Sequence, residues 1–169
     1  NNIIDTSKID SGAYRLDKED VDIVELVEDV TLSMVNLAEV KGLELVIDPE
    51  IEEKIISCDK LDIERCIINL IGNAIKFTEP GGNITVSIVE LENSIKISVK
   101  DTGIGIEEKY CEGIFDRFGQ VYNEVSEELG GSGLGLTLTK NLINLHNGEI
   151  SVISEKNKGS EFIIILPIS

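Results

Sequence analysis

The chain has 169 residues, of which 41% are hydrophobic, and this favours a single domain with one buried core. Its formal net charge of −17 would repel a polyanionic backbone, which argues against nucleic acid as a partner. No apolar run approaches the roughly 20 residues of a membrane span, and the three cysteines form no CxxC pair or His-Cys cluster. We therefore expect a cytoplasmic domain, and the parent protein could still be anchored in a membrane.

The first twenty residues predict the end of a helix followed by a linker. The chain starts at Asn1 rather than Met, and residues 1–10 look like the tail of a longer helix that breaks at Gly12. We therefore expect a piece of a larger protein. Residues 14–22 predict a linker with possible extended pairing.

The next segment predicts a helix, two strands and a second helix. Apolar residues recur at helical spacing over residues 21–38, which predicts an amphipathic helix that ends near Gly42. Residues 43–47 and 54–57 resemble strands. Asp59 is a plausible N-cap for a helix that continues to about Phe77.

The second half predicts two hairpins separated by a long loop and a helix. Residues 84–91 and 95–99 alternate like paired strands, as do 149–153 and 161–166. Residues 103–135 show little periodicity except for a short helical piece over 107–115, which is typical of a functional loop, and 134–146 predict a helix. The fold class is therefore α+β: a two-layer α/β sandwich whose mixed, mostly antiparallel sheet is covered by helices on one face.

Two amides and an ammonium group fall on one face of the helix that follows Asp59. Asn69, Asn73 and Lys76 are spaced by about one turn. An amide oxygen is a hard ligand suited to Mg²⁺, and a lysine can bind phosphate as a point charge. Alternatively, Asn69 hydrogen-bonds to a neighbouring backbone group and Lys76 is a solvated cation.

Two glycine-rich segments could hold a ligand close to the backbone. Asp101 begins DTGIGI after an apolar strand, where its carboxylate could accept a hydrogen bond from an exocyclic amine such as adenine N6. The sequence GGSGLGL over residues 130–136 precedes a helix, where amide groups could cradle phosphate. An ordinary turn and a flexible loop tip are the alternatives. The P-loop, dinucleotide-fold and protein-kinase motifs are absent.

Taken together and in this order, these segments resemble the catalytic ATP-binding domain of sensor histidine kinases, which has the Bergerat fold. DIERCIINLIGNAIKFTEPGG resembles the N box of that family, DTGIGI its G1 box, IFDRFGQV its F box and GGSGLGLTLTKNLINLHNG its G2 box. The resemblance implies that residues 1–20 are the end of a dimerisation helix with its linker and that residues 21–169 are the catalytic domain.

The resemblance also implies roles for individual residues. Asn73 would coordinate Mg²⁺, Asn69 and Lys76 would contact phosphates, and Asp101 would bind the adenine amine. Arg117 would contact a phosphate or the partner domain, and together with Asn73 and Lys76 would be catalytic, while Phe115 and Phe118 would anchor a lid. The residues implied to bind the nucleotide are Asn69, Asn73, Lys76, Phe77, Asp101, Gly103, Gly105, Ile106, Gly131, Ser132, Gly133, Leu134 and Gly135.

The resemblance implies transfer of the ATP γ-phosphate to a histidine. Hydrolysing members of the superfamily carry a glutamate four residues before the metal-binding Asn, and here that position is Asn69, which cannot act as a general base. The one histidine, His146, is expected to be a helix-end residue. The acceptor would therefore lie on the dimerisation domain of the same parent protein, with a response regulator downstream, and this chain would be a monomer. A non-catalytic ATP-sensing module and an ATPase-driven conformational switch remain as alternatives.

Overall fold

The computed structural model describes residues 7–9, 11–116 and 135–168. The strands are β1 (Glu19–Asp22), β2 (Glu44–Pro49), β3 (Ile55–Cys58), β4 (Asn83–Glu90), β5 (Ser94–Asp101), β6 (Glu149–Ser154) and β7 (Ser160–Pro167). The helices are α1 (Ile23–Ser33), α2 (Val35–Val40), α3 (Lys60–Phe77) and α4 (Gly135–Leu145), with a 3₁₀ turn at Glu108–Tyr110.

Five strands form the main sheet in the order β2-β4-β5-β7-β6. Strand β2 runs parallel to β4, whereas the other neighbouring strands pair antiparallel. Both predicted hairpins are confirmed, as β4 with β5 and β6 with β7. Strands β1 and β3 form a separate antiparallel pair. The predicted fold class, a mixed and mostly antiparallel sheet with a helical layer, is confirmed.

The core lies between the sheet and the helices. Alternate residues of β4 and β5 are fully buried, because side chains point to opposite faces along a strand. On the other face Thr85, Ser87 and Lys96 are half-buried and Lys100 is exposed. The buried residues that meet between these layers include Ile84, Val86, Ile88, Ile95 and Ile97 from the sheet and Ile63, Ile67, Leu70 and Ile71 from α3.

The single helix predicted over residues 21–38 is wrong at its start and in its middle. Val21 belongs to β1, where it pairs with Ile56, and Asp22 caps α1 by accepting a hydrogen bond from the Val24 amide at 3.1 Å. The helix is then interrupted at Met34 (φ −105°, ψ −1°). The helical spacing of apolar residues in the sequence continues through both places, because Val21 and Met34 face the core although neither lies within a helix.

The linker packs on the amino-terminal end of α3. The Tyr14 hydroxyl donates to both carboxylate oxygens of Asp62, at 2.6 and 2.7 Å, and the Asp17 amide donates to Asp59 Oδ2 at 2.8 Å. Together with the β1–β3 pair, these bonds join residues 14–22 to the rest of the fold. The predicted boundary between residues 20 and 21 therefore falls inside a paired strand, and the division into a linker and a catalytic domain stays a prediction.

Candidate active site

A pocket of about 240 Å³ opens beside the carboxyl-terminal end of β5. Three segments form its wall: the last turns of α3, the residues that follow Asp101, and the turn between β6 and β7. The lining residues are Asn73, Ala74, Phe77, Asp101, Ile104, Gly105, Ile106, Glu107, Tyr110, Lys156, Asn157, Ser160 and Phe162. The lining combines apolar side chains with a few polar groups, which is typical of a small-molecule site.

Asp101 is the buried acid of this pocket, with 6% of its surface exposed. Its Oδ1 accepts hydrogen bonds from the amides of Gly103 at 2.8 Å and Ser160 at 3.2 Å. Burial raises the pKa of the Asp101 carboxyl, and these two hydrogen bonds oppose that rise. Within the described residues Oδ2 accepts no hydrogen bond, so it can accept one from a ligand.

The segment after Asp101 is held against α3 by the backbone. The Ile104 amide donates to the Phe77 carbonyl at 3.1 Å. A Cβ on Gly103 would overlap that same carbonyl and would lie 2.9 Å from Thr78 Oγ1. Gly105 has φ +69°, a backbone conformation that residues with a side chain rarely adopt. The two glycines therefore permit an approach between backbones that other residues would prevent.

The predicted polar cluster on α3 divides between two places. Asn73 lines the pocket and makes no side-chain hydrogen bond to another described residue. Asn69 lies outside the lining, and its Nδ2 donates to the Gly135 carbonyl and to Thr139 Oγ1, both at 3.1 Å. Lys76 is half-buried near the end of α3 and does not line the pocket. The hydrogen bond from Asn69 to the Gly135 carbonyl corresponds to the alternative role given above for Asn69, in which its side chain bonds to a backbone group.

The structure brings the predicted residues Asn73, Phe77, Asp101, Gly105 and Ile106 together around the pocket, with Gly103 behind its wall. Gly135 begins the described part of α4 and contacts Asn69. Phe115 is buried and packs edge-on against Phe162, with ring centroids 6.1 Å apart. The predicted site residues that lie outside the described residues are Arg117, Phe118, Gly131, Ser132, Gly133 and Leu134.

The turn between β6 and β7 is the part of the pocket that the sequence analysis missed. The Asn157 amide donates to the Ile104 carbonyl at 2.6 Å, and Ser160 and Phe162 contribute side chains to the lining. Asn157 has φ +68°, a conformation that asparagine adopts more readily than most residues. The sequence Asn157-Lys158-Gly159 is typical of a turn, but no local pattern indicates that this turn meets the segment after β5.

Charged side chains lie at one end of the pocket. Glu107 forms ion pairs with Lys109 and Lys156, each at 3.4 Å. The positive charge of Lys109, followed by the hydrogen bond from Lys156, lowers the pKa of the Glu107 carboxyl. Because these side chains are solvated, the ion pairs contribute little to stability, and Lys156 remains able to exchange partners.

His146 lies away from the pocket and has a structural role. It is 3% exposed, its Nε2 accepts the Asp59 amide at 3.0 Å, and its Nδ1 lies 2.7 Å from the Leu142 carbonyl. The neutral ring with its proton on Nδ1 satisfies both contacts. His146 thus joins the end of α4 to the start of α3, which confirms that it is a helix-end residue.

Two features are not found among the described residues. They contain no group of three or more His, Cys, Asp or Glu side chains arranged to hold a metal ion. None of the described helices has the length and hydropathy that crossing a membrane requires.

Comparisons with known proteins agree with this geometry. Residues 58–169 match the family described as histidine kinase-, DNA gyrase B- and HSP90-like ATPases. The autoinducer 2 sensor kinase/phosphatase LuxQ of Vibrio vulnificus is 39% identical over 175 residues, covering 99% of this chain and 20% of LuxQ. The crystal structure of full-length ShkA in complex with AMPPNP superimposes with a TM-score of 0.88 at 28% identity, covering 100% of this chain and 35% of that one.

A separately solved catalytic domain shares this fold. The nucleotide-free catalytic domain of the histidine kinase ThkA gives a TM-score of 0.78 at 24% identity, covering 90% of this chain and 97% of that one. Because residues 58–169 match it, the chain belongs to the histidine kinase-, DNA gyrase B- and HSP90-like ATPase family. The predicted resemblance to the catalytic domain of sensor histidine kinases is confirmed, and the chain spans about a fifth of LuxQ and a third of ShkA.

Proposed function

We propose that this chain binds ATP with Mg²⁺ and transfers the γ-phosphate to a histidine on the dimerisation domain of its parent protein. The observation that carries the proposal is the Asp101 carboxylate in the pocket. One of its oxygens is fixed by two amides, and the other is left to accept a hydrogen bond. The amine of adenine donates such a bond, whereas the carbonyl of guanine would present a second acceptor to it.

Asn73 fits a magnesium ion held mainly by phosphates. Asn73 lines the pocket, and its side-chain amide makes no hydrogen bond to another described residue. Mg²⁺ usually keeps several waters and takes one or two protein oxygens together with substrate phosphates, so the absence of a cluster of acids among the described residues agrees with this arrangement. A bound Mg²⁺ would neutralise charge on the phosphates. Lys76, one turn further along α3, would add a positive charge near them.

Transfer to histidine is favoured over hydrolysis because of Asn69. Its amide cannot take a proton from water, and its Nδ2 is already engaged with Gly135 and Thr139. In the transfer, a ring nitrogen of the acceptor histidine bonds to the γ-phosphorus while the bond from that phosphorus to the β–γ bridging oxygen breaks, and ADP leaves. Arg117 and Gly131, Ser132, Gly133 and Leu134 would complete the phosphate site.

The acceptor must come from outside this chain. Its one histidine is buried and uses both ring nitrogens in contacts within the fold. The proposed acceptor is the histidine of a dimerisation domain in the parent protein, and a response regulator would receive the phosphate afterwards. We propose that the isolated chain is monomeric.

The test is transfer of radiolabelled phosphate from γ-labelled ATP. The chain is mixed with the separately purified dimerisation domain of its parent protein, with Mg²⁺ or with EDTA. We expect labelled acceptor only with Mg²⁺, and about 10²-fold slower labelling with Asn73→Ala, since the loss of a metal ligand removes charge stabilisation. Binding of ATP without labelling of the acceptor would favour a sensor module instead. Steady release of phosphate by the chain alone would favour an ATPase.

A further inference from the structure

The hydroxyl group of Ser154, at the end of β6, lies where two parts of the pocket wall meet, the segment that follows Asp101 and the start of β7. It accepts a hydrogen bond from the Ile106 amide at 2.7 Å and donates one to the Gly159 carbonyl at 2.9 Å. It also lies 2.7 Å from the hydroxyl of Ser160. Ser154 does not line the pocket, whereas Ile106 and Ser160 do.

These contacts connect the segment after β5 to the strand that lies beside Asp101. The Ser160 amide donates to Asp101 Oδ1 at 3.2 Å, so the position of Ser160 fixes one side of the carboxylate. The Ile106 amide belongs to the segment that follows Asp101. The Ser154 hydroxyl therefore joins Ile106 to the residue whose amide holds the Asp101 carboxylate.

Among the described residues, two other bonds cross this junction: the Asn157 amide donates to the Ile104 carbonyl at 2.6 Å, and the Lys156 ammonium pairs with the Glu107 carboxylate at 3.4 Å. Strands β6 and β7 are in addition paired from Glu149 to Ser154. Loss of the Ser154 hydroxyl leaves both of these arrangements in place. Its effect should therefore fall on the shape of the pocket more than on the stability of the sheet.

We infer that Ser154 is a positioning residue for the nucleotide, acting through Ile106 and Ser160 without touching the ligand. The inference rests on the proposed function, because it assumes that the pocket binds an adenine nucleotide. Removal of the hydroxyl leaves the Ile106 amide without its partner, and the Gly159 carbonyl keeps only the longer bond from the Glu155 amide, at 3.4 Å. The wall can then move away from Asp101, and the pocket loses its fixed width.

The test compares Ser154→Ala with Ser151→Ala. Ser151 is on the same strand, is exposed, and makes no side-chain hydrogen bond to another described residue. Calorimetric titration with ADP should show about tenfold weaker binding by Ser154→Ala and unchanged binding by Ser151→Ala, since the loss of a partner for a part-buried amide has about this effect. Both variants should remain folded, and Ser154→Ala should unfold at a somewhat lower temperature than Ser151→Ala, because the Ile106 amide has lost its partner.

A second set of variants separates positioning from general damage. Ser154→Thr retains a hydroxyl and should bind ADP nearly as well as the parent chain, whereas Ser154→Cys, a weaker hydrogen-bonding group, should fall between Thr and Ala. Exchange of the Ile106 amide proton, measured by NMR, should be faster in Ser154→Ala and unchanged in Ser151→Ala. If Ser154→Ala does not fold, the Cys variant carries the test.

ADP binding by Ser154→Ala or by Ser154→Cys that equals the parent value would overturn the inference while leaving the proposed function intact. Equal loss in the Thr and Ala variants would also overturn it, because the hydroxyl would then not be the group that matters. Failure of the folded parent chain to bind ADP is a different result, which removes the proposed function and this inference together.

Discussion

The ammonium group of Lys41 donates a 2.7 Å hydrogen bond to the carbonyl oxygen of Ile75. A second bond, at 2.9 Å, goes to the carbonyl of Lys76. Both acceptors are in the last turn of α3, where carbonyls have no partner within the helix and where positive charge is favourable. Lys41 therefore fixes the end of the helix that presents Asn73 and Phe77 to the pocket.

Replacement of Lys41 by Met should lower the free energy of unfolding by about 1–2 kcal/mol, because two carbonyls lose a charged donor. Urea unfolding measures this change. Lys18→Met is the matched control, since Lys18 is exposed and makes no hydrogen bond or ion pair to another described residue. Equal losses in the two variants would show that the bonds to α3 contribute nothing.

Tyr14→Phe should destabilise the protein in a way that depends on pH. Burial raises the pKa of Asp62, and the hydrogen bond from Tyr14 opposes that rise, so the bond stabilises the ionised carboxylate. We expect a loss of about 1–3 kcal/mol at pH 7. The loss should diminish as the pH falls through the pKa of Asp62 in the folded state, because the protonated acid needs no donor.

Urea unfolding of the parent chain and of Tyr14→Phe, measured at pH 7 and at mildly acid pH, checks this expectation. The same difference at both pH values would mean that Tyr14 stabilises the linker by packing rather than through the carboxylate of Asp62.

Gly105→Ala should cost more stability than Gly12→Ala. Both glycines have positive φ, +69° and +74°, so alanine should cost about 1–2 kcal/mol at either position from backbone strain alone. A Cβ at Gly105 would in addition overlap the carbonyl of Glu155, whereas one at Gly12 would meet nothing within 4 Å. We expect a further loss of about 1–3 kcal/mol for Gly105→Ala. Equal unfolding midpoints would show that the turn between β6 and β7 can move away from Gly105.

Asp101→Asn should leave the nucleotide-free protein at least as stable as the parent chain at pH 7. Burial raises the pKa of Asp101, so ionising it in the folded state is unfavourable, and an amide avoids that cost while still offering an oxygen to Gly103 and Ser160. The unfavourable contribution is absent below the unfolded-state pKa, grows as the pH rises from the unfolded-state pKa to the raised folded-state pKa, and is fully present above it. Thermal unfolding of both proteins checks this prediction, and a clearly lower unfolding temperature for Asp101→Asn would contradict it.

Local patterns were sufficient to predict most of the fold. Asp59 was identified as the N-cap of α3 because an acidic residue just before an apolar helical repeat commonly accepts a hydrogen bond from an amide of the first turn. In the structure its Oδ1 accepts the Asp62 amide at 3.2 Å. The strands of both hairpins were predicted from the alternation of apolar and polar residues along the chain. The start of α1 was mispredicted because the pairing of Val21 with Ile56 joins residues far apart in sequence, and no local pattern records such a pair.

The same limit applies to the site. The sequence did reveal Asp101, Gly103 and Gly105, because they form one short motif: an acid directly after an apolar strand, followed by two glycines at alternate positions. Ser154 and Ser160 could not be found, because an isolated serine on a strand has no distinctive pattern. Their importance depends on contacts with Ile106 and Asp101 that only the folded chain brings about.

The most direct measurement is calorimetric titration of the parent chain and of Asp101→Asn with AMPPNP and Mg²⁺. We expect saturable binding by the parent chain and binding at least about tenfold weaker by Asp101→Asn, since the variant presents an NH₂ donor where the amine of adenine requires an acceptor. Affinity of the parent chain should also fall as the pH drops through the raised pKa of Asp101. Equal affinities for the two folded proteins, or no binding by the parent chain, would contradict the account.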